Sequence, residues 1–508
     1  MKKPRNGFIK NLRYVSLIGV IALGFITIIA TGGGGNTDPN IEEDSYFRYF
    51  LASSIDYASL PEDRTDYTPM GSGSYAGQTY YVATNGSNGN DGLTQSTPFR
   101  TIQYALRMSQ DGDTVWVRGG TYRTGDLTSD YDEQQQIHSN FILAAWPEEK
   151  VIIQSDDLGE WEHRDALSLR GPLHDVIIDG FEFRDFTNTG IQFGNETNGE
   201  NPQRNIIIKN IIIKETNEGI TTHYDPDGQA ASKVYIDGLL VKNVLLLDIT
   251  GIGFNAGQRS VSGYALYQNI HIDGLKIRCL SGGEGSGADC LAFENGFNIL
   301  VENTLAERAY ADGIDLKADQ VAVLNCIVRH TGRNGVKCWQ KAELINVLSF
   351  DTGADANVVF DTSENISARD CVFAYHNARS GQSSYSFTVD YDHAASSAGQ
   401  VNFTRCIFFA NTDWGFIPGG AQLHFEGNIF WAIFTEGLFE HYGANPNGYT
   451  YDTIDVLNNQ LWGADNQVTD PGFENPSYDA NNLVTGNMSN PGFKDILIDD
   501  YFTLLENS

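Results

Sequence analysis

The chain has 508 residues and a formal net charge of -32, from 65 Asp and Glu against 33 Lys and Arg, so it offers no basic stripe to neutralise phosphates and nucleic acid is not an expected partner. With 41% hydrophobic and 12% aromatic residues it can build a long core, and 53 glycines against 14 prolines suit a fold with many tight turns rather than a disordered chain. The length would allow two or three domains, but periodic architectures run this long as one body.

The amino terminus carries Lys2, Lys3, Arg5, Lys10 and Arg13, then an apolar run from Val15 to Ala30, Thr31 and four glycines. This is the pattern of a secretory leader, expected over residues 1–31, with an uncleaved membrane anchor as the alternative. No cysteine precedes Cys279, which rules out a lipid-modified cysteine at the cleavage position. The protein is thus expected to be secreted or extracellular, at the cell surface or in the periplasm, with no membrane contact once the leader is gone. Residues 32–75, rich in Gly, Asp, Ser and Thr, read as a linker with a short amphipathic patch from Tyr46 to Leu51.

Gln78 to Ala83 reads as a strand, Asn85 to Thr97 as a polar loop, Pro98 to Leu106 as a short amphipathic helix and Asp113 to Val117 as the first full strand. A helix there would cover the open end of a stack of strands. A unit of two apolar strands then recurs: Val176-Ile177-Ile178-Asp179-Gly180 with Gly190-Ile191, Ile206-Ile207-Ile208-Lys209-Asn210 with Gly219-Ile220, and Val234-Tyr235-Ile236-Asp237-Gly238 with Gly251-Ile252. It continues through Asp273-Gly274, Glu302-Asn303, Leu324-Asn325, Ile345-Asn346, Arg369-Asp370, Thr404-Arg405 and Glu426-Gly427. The steps vary between 21 (325 to 346) and 36 (237 to 273), so loops of different length leave a core of constant cross-section.

Short strands of this kind cannot bury a face alone, and stacking them creates the core. The expected fold is all-β: a single-stranded right-handed parallel β-helix over 76–440 with a short N-terminal capping helix. A propeller would want about 40 to 45 residues and four strands per blade. Residues 441–508, which contain Asp470-Pro471-Gly472-Phe473 and Asn490-Pro491-Gly492-Phe493, lose the period and read as a C-terminal cap or tail. A monomer is expected.

Three successive strands carry carboxylates and one lysine: Asp289-Cys290-Leu291-Ala292-Phe293, Asp312-Gly313-Ile314-Asp315-Leu316 and Asn334-Gly335-Val336-Lys337-Cys338. Stacked coils bring residues about 23 apart in sequence to roughly 4.8 Å in space. Asp289, Asp312 and Asn334 then form one column, and Ala292, Asp315 and Lys337 a second that points away from the core. Arg329, Arg333 and Trp339 flank the lysine strand and suit substrate binding, since arginines clamp carboxylates and an aromatic face stacks on sugars. His330 and Lys341 lie nearby without special geometry. Asp315 and Lys337 could also be no more than an ion pair worth about 1 kcal/mol or less.

Six cysteines lie at 279, 290, 326, 338, 371 and 406. Cys326, Cys371 and Cys406 share one column, where the last two could bridge, but buried free thiols are the simpler reading and no spacing suggests zinc.

The segment from Tyr80 to Tyr122 resembles the entry of secreted β-helix polysaccharide enzymes. Ala288 to Phe293, Ala311 to Leu316 and Arg333 to Lys337 more sharply resemble the site of polysaccharide lyase family 9, the pectate lyase L type. That resemblance implies calcium on Asp289, Asp312 and Asp315, Lys337 as the base, and an acidic polysaccharide, pectate, as substrate. One departure is that the family has two adjacent aspartates where this chain has Ala311-Asp312, which leaves more waters on the ion. The loop between Asp315 and Lys337 is also shorter. The implied chemistry is β-elimination, in which a cation on the C6 carboxylate stabilises the charge formed when the C5 proton leaves. A glycoside hydrolase, a C5 epimerase and a non-catalytic carbohydrate-binding surface protein are the alternatives on the same scaffold.

Overall fold

Strands that bury alternate side chains need a facing surface, and this chain supplies it by coiling on itself. The computed structural model describes residues 52–64 and 77–439, the second stretch interrupted by short segments such as 125–136, 224–233, 281–287 and 390–399. The chain divides into two units, Met1–Leu51 with Glu474–Ser508 and Ala52–Phe473, and every described residue belongs to the second. The expected leader at 1–31, the linker residues 32–51 and 65–75, residue 76 at the expected start of the β-helix, and the C-terminal cap or tail at 441–508 lie outside the described residues.

The strands pair in parallel into a 23-stranded and an 11-stranded sheet; the antiparallel hairpin of Arg259–Ser260 with Gly263–Tyr264 is the exception among the described residues. The larger sheet turns a corner, because Gln203–Lys214 and Val234–Ile249 run through it, and so makes two faces. One coil shows the path: His174–Asp179 on the first face, Phe181–Arg184 on the second, Thr189–Gly194 on the third, before Gln203–Lys214 begins the next coil. This is the right-handed parallel β-helix, in the hand that crossovers between parallel strands take. The core is built in columns, one of which runs Ile178, Ile208, Val241, Ile272, Val301, Val323, Leu344, Ala368 and Phe403, all buried. Burial of each large aliphatic member contributes about 1.5–3 kcal/mol.

The corner between the first and second faces is one residue in the left-handed region. Gly180, Asn210, Asn243, Gly274, Asn303, Asn325, Asn346, Asp370 and Arg405 occupy it, with φ between 51° and 87°. Asparagine tolerates that conformation, and its amide stacks on the coil below: Asn210 Nδ2 donates to Asp179 Oδ1 (2.8 Å) and Asn346 Nδ2 to Asn325 Oδ1 (2.9 Å). Asp237-Gly238 does not belong to this corner. Gly238 (φ 90°) instead lies within the strand Val234–Ile249 on the first face, beside Asn205 and Asn269, and the corner of its coil is Asn243. Asp237-Gly238 and Lys242-Asn243 both break the apolar run, so the sequence pattern alone does not choose between them. On the same coil the third-face glycine is Gly253, before Phe254, rather than Gly251.

The capping helix spans Ile102–Met108, with the Thr101 side chain accepting from Tyr104 N and with Ile102, Ala105 and Leu106 buried. It starts later than Pro98 because Phe99 is drawn to the sheet edge, donating to Tyr81 O (2.8 Å) and accepting from Ala83 N (2.9 Å). Residues 52–64, in the stretch read as a linker, lie along the outside of the first face. Ser54 N donates to Glu343 Oε1 (2.6 Å), Asp56 N to Asn298 Oδ1 (2.8 Å), and Lys209 Nζ to Asp63 Oδ1 (3.1 Å), so the segment runs back across several coils. All six cysteines are free and buried.

A column of glycines on the third face has a packing cause. A Cβ at Gly190, Gly253 or Gly313 would lie 2.5, 2.4 and 2.1 Å from Ile213, Ile277 and Val328 of the second face. Cys290 takes the same position on the coil where the second face contributes Ala306. At Gly190, Gly253 and Gly313 a large second-face side chain thus requires glycine, while at Gly335 the contact is with Ser349, 1.9 Å from where a Cβ would lie. Gly313→Ala should therefore cost about 1–3 kcal/mol in denaturant unfolding, and adding Val328→Ala should recover part of that loss relative to the two single variants. An unchanged Gly313→Ala midpoint would contradict this packing.

Candidate active site

The strands Leu291–Phe293, Ile314–Leu316 and Val336–Cys338 are in register on the third face, pairing Ala292 with Asp315 and Asp315 with Lys337. Leu291, Ile314 and Val336 enter the core, so the period of two turns Ala292, Asp315 and Lys337 outward. Just before each strand, Asp289 Oδ1 accepts from Asp312 N (2.8 Å), Asp312 Oδ1 from Asn334 N (3.1 Å) and Asn334 Nδ2 (2.9 Å), and Asn334 Oδ1 from Ala356 N (3.1 Å). Each side chain in this column holds the backbone of the next coil. The second oxygens of Asp289 and Asp312 take no part in that ladder.

These acids are nearly sealed from water: Asp289 is 9% exposed, Asp312 and Asp315 3%, and Lys337 9%. Burial, then the charges of Asp312 and Asp315, push the Asp289 carboxyl up to about 8. Burial pushes Asp315 up to about 6, against the pull of Lys317 and Lys337. Asp315 Oδ2 lies 3.0 Å from Lys317 Nζ, while its Oδ1 is buried without a hydrogen-bond partner.

Lys317 and Glu294 are site residues that the sequence reading missed. They form the next outward column with Trp339, two residues beyond Ala292, Asp315 and Lys337, so counting two further along each strand finds them. Lys317 Nζ lies 2.5 Å from Glu294 Oε1, and Lys317 and Lys337 place their Nζ atoms 5.3 and 5.2 Å from the Trp339 ring.

Of the three residues expected to bind substrate, Trp339 is at the site, half-buried with both lysine Nζ atoms close to its ring, and Arg333 is exposed on the bend before the lysine strand. Arg329 is not available as a clamp. It is 3% exposed and ion-paired through Nη2 (2.7 Å) and Nε (2.9 Å) with Glu307 Oε2, on a fully buried neighbour in the adjoining coil. His330 is held by Asp351 Oδ2 at 2.5 Å.

Asp289, Asp312 and Asp315 carry oxygen atoms of the kind a hard cation takes, and Asp315 Oδ1 has no hydrogen-bond partner, but one ligand atom from each of the three does not come within 4.8 Å of the others. Among the described residues, the place where three potential ligand atoms lie within 4.8 Å of one another is His271, Asp273 and Glu302 on the first face. There His271 Nε2 is 2.7 Å from Glu302 Oε1 and Asp273 is 3.5 Å from Lys242, so that group is already paired internally.

No family model matches the chain. A Bacillus subtilis (strain 168) protein called "Uncharacterized protein YwoF" is 30% identical over 125 residues, and the match spans a quarter of either chain. Among solved structures, pectate lyase Pel9A is 12% identical, covering 73% of this chain and 80% of its own at a TM-score of 0.33. Rhamnogalacturonan lyase is 13% identical (75% and 90%, TM-score 0.35), and the Azotobacter vinelandii mannuronan C-5 epimerase AlgE6 A-module 11% (70% and 91%, TM-score 0.43). At these TM-scores the likenesses carry no argument about activity.

The buried acids predict how stability depends on pH. Asp289 keeps its proton to about 8 in the fold but only to its ordinary 3.8 when unfolded, so its contribution to the metal-free fold is full below about 4 and is lost as pH rises through 8. Asp289→Asn can still accept the Asp312 N–H, as Asn334 does for Ala356. In chelator, this variant should melt above the parent at pH 8 and show a flatter profile between pH 4 and 8. A lower melting temperature than the parent at pH 8 would contradict the assignment.

Proposed function

We propose that the chain is a polysaccharide lyase that cleaves a uronate-containing polymer, pectate foremost, by β-elimination, with calcium on Asp289, Asp312 and Asp315 and Lys337 as the base. The observation that supports this reading is the register: Asp315 and Lys337 are direct neighbours across one ladder step, with Asp289 and Asp312 on adjoining coils of the same face. A hydrolase needs two carboxylates opposed across the scissile bond, whereas these acids share one side of one sheet. The reading includes export of the protein, on the strength of the basic residues and the apolar run that follows them at its start.

In the proposed reaction the neutral Lys337 amine takes the C5 proton of a bound uronate. The electron pair left behind forms the C4–C5 double bond, the bond from C4 to the glycosidic oxygen breaks, and that oxygen collects a proton from water. Calcium, when bound, neutralises the C6 carboxylate and the enolate-like charge that grows on it. Asp289, Asp312 and Asp315 would be the residues that hold the ion, and Ala311 would offer it no fourth carboxylate. Trp339 offers a ring face to a sugar, and the exposed Arg333 a guanidinium to a second carboxylate.

The test is incubation with pectate, alginate and related polymers, with and without a chelator, following the near-ultraviolet absorbance of unsaturated uronides. Lys337→Arg should keep the fold and the calcium response while turnover falls by orders of magnitude, because a guanidinium stays protonated. New reducing ends without unsaturation would indicate a hydrolase. Near-normal turnover by a folded Lys337→Ala protein would remove the lysine from the mechanism.

A further inference from the structure

We propose that Lys317 is an internal competitor for the cation site and sets the calcium concentration at which that site fills. This rests on the reading of Asp289, Asp312 and Asp315 as calcium ligands. Lys317 follows Asp315 by two residues on the same outward face, and its ammonium lies 3.0 Å from Asp315 Oδ2. A calcium ion that takes Asp315 must displace that ammonium or accept it as a neighbour of like charge, and either lowers affinity.

The arrangement also gives the ammonium somewhere to go. Glu294 Oε1, on the preceding coil, is 2.5 Å from the same Nζ, so Lys317 can leave Asp315 without losing its ion pair. Trp339, one coil beyond Lys317, has Nζ of Lys317 5.3 Å and Nζ of Lys337 5.2 Å from its ring, so both ammonium groups are held close to one indole. Filled and unfilled sites thus differ by one bridging contact, from Lys317 shared between Asp315 and Glu294 to Lys317 on Glu294 alone. The buried Ala311 beside Asp312 offers the ion no carboxylate to offset this competition.

The experiment is calorimetric titration of the full chain with calcium chloride, on the parent, Lys317→Met and Lys317→Arg. Methionine keeps an unbranched side chain one atom shorter and removes the charge. Lys317→Met should bind calcium about tenfold tighter or more, and Lys317→Arg within about threefold of the parent, because it keeps the competing charge. Lys317→Gln serves the same purpose if the methionine variant fails to fold, with circular dichroism as the check. Equal or weaker calcium binding by the neutral variants, in a parent that does bind calcium, would overturn the competition alone. Absence of calcium binding from every form would overturn it together with the metal site on which it rests.

Discussion

Strict stacking in register is the constraint from which the rest of this molecule follows. Parallel pairing across three faces puts each residue directly above its counterpart one coil away, and the one-residue corners at Asn210, Asn303, Asn325 and Asn346 keep the cross-section constant however long the outer loops become. Columns of like residues are the consequence. Aliphatic columns make the core, amide columns satisfy the corners, and a glycine column on the third face makes room for large side chains on the second.

A charged column is costly in such a stack because stacking repeats the charge. The protein tolerates Asp289, Asp312 and Asp315 in near burial by giving two of them structural work, since their carboxylates hold the backbone N–H groups of the next coil. The third, Asp315, is compensated by Lys317 on one oxygen and left without a partner on the other. Fold and candidate chemistry therefore use the same side chains. Removing a charge here should relieve the fold while impairing the site, a tension common to preorganised sites.

Much of this was legible in the sequence because the period of two and the Gly or Cys before each site strand fix which residues share a column. Asp315 beside Lys337, and Asp289 beneath Asp312, follow from that count alone. What was not legible depended on neighbours one coil away. Arg329 looks like an exposed loop residue until Glu307 is aligned with it on the adjoining coil, where the two bury each other. Lys317 and Glu294 lie one outward position beyond the acidic column, and it is the contacts of Lys317 with Asp315 and, across coils, with Glu294 that bring them into the site. In the strand from Val234 to Ile249, Asp237-Gly238 and Lys242-Asn243 both interrupt the apolar pattern and either could have turned the corner, and only the pairing with Asn210 decides.

The most direct measurement is a crystal structure of Lys337→Ala grown with calcium and a short oligogalacturonate, since this variant should bind substrate without consuming it. The expected picture has the cation against Asp315 with Asp289 and Asp312 around it, and the C5 hydrogen of a bound sugar directed at position 337. A cation seated instead on His271, Asp273 and Glu302, or a sugar bound away from the third face, would contradict it.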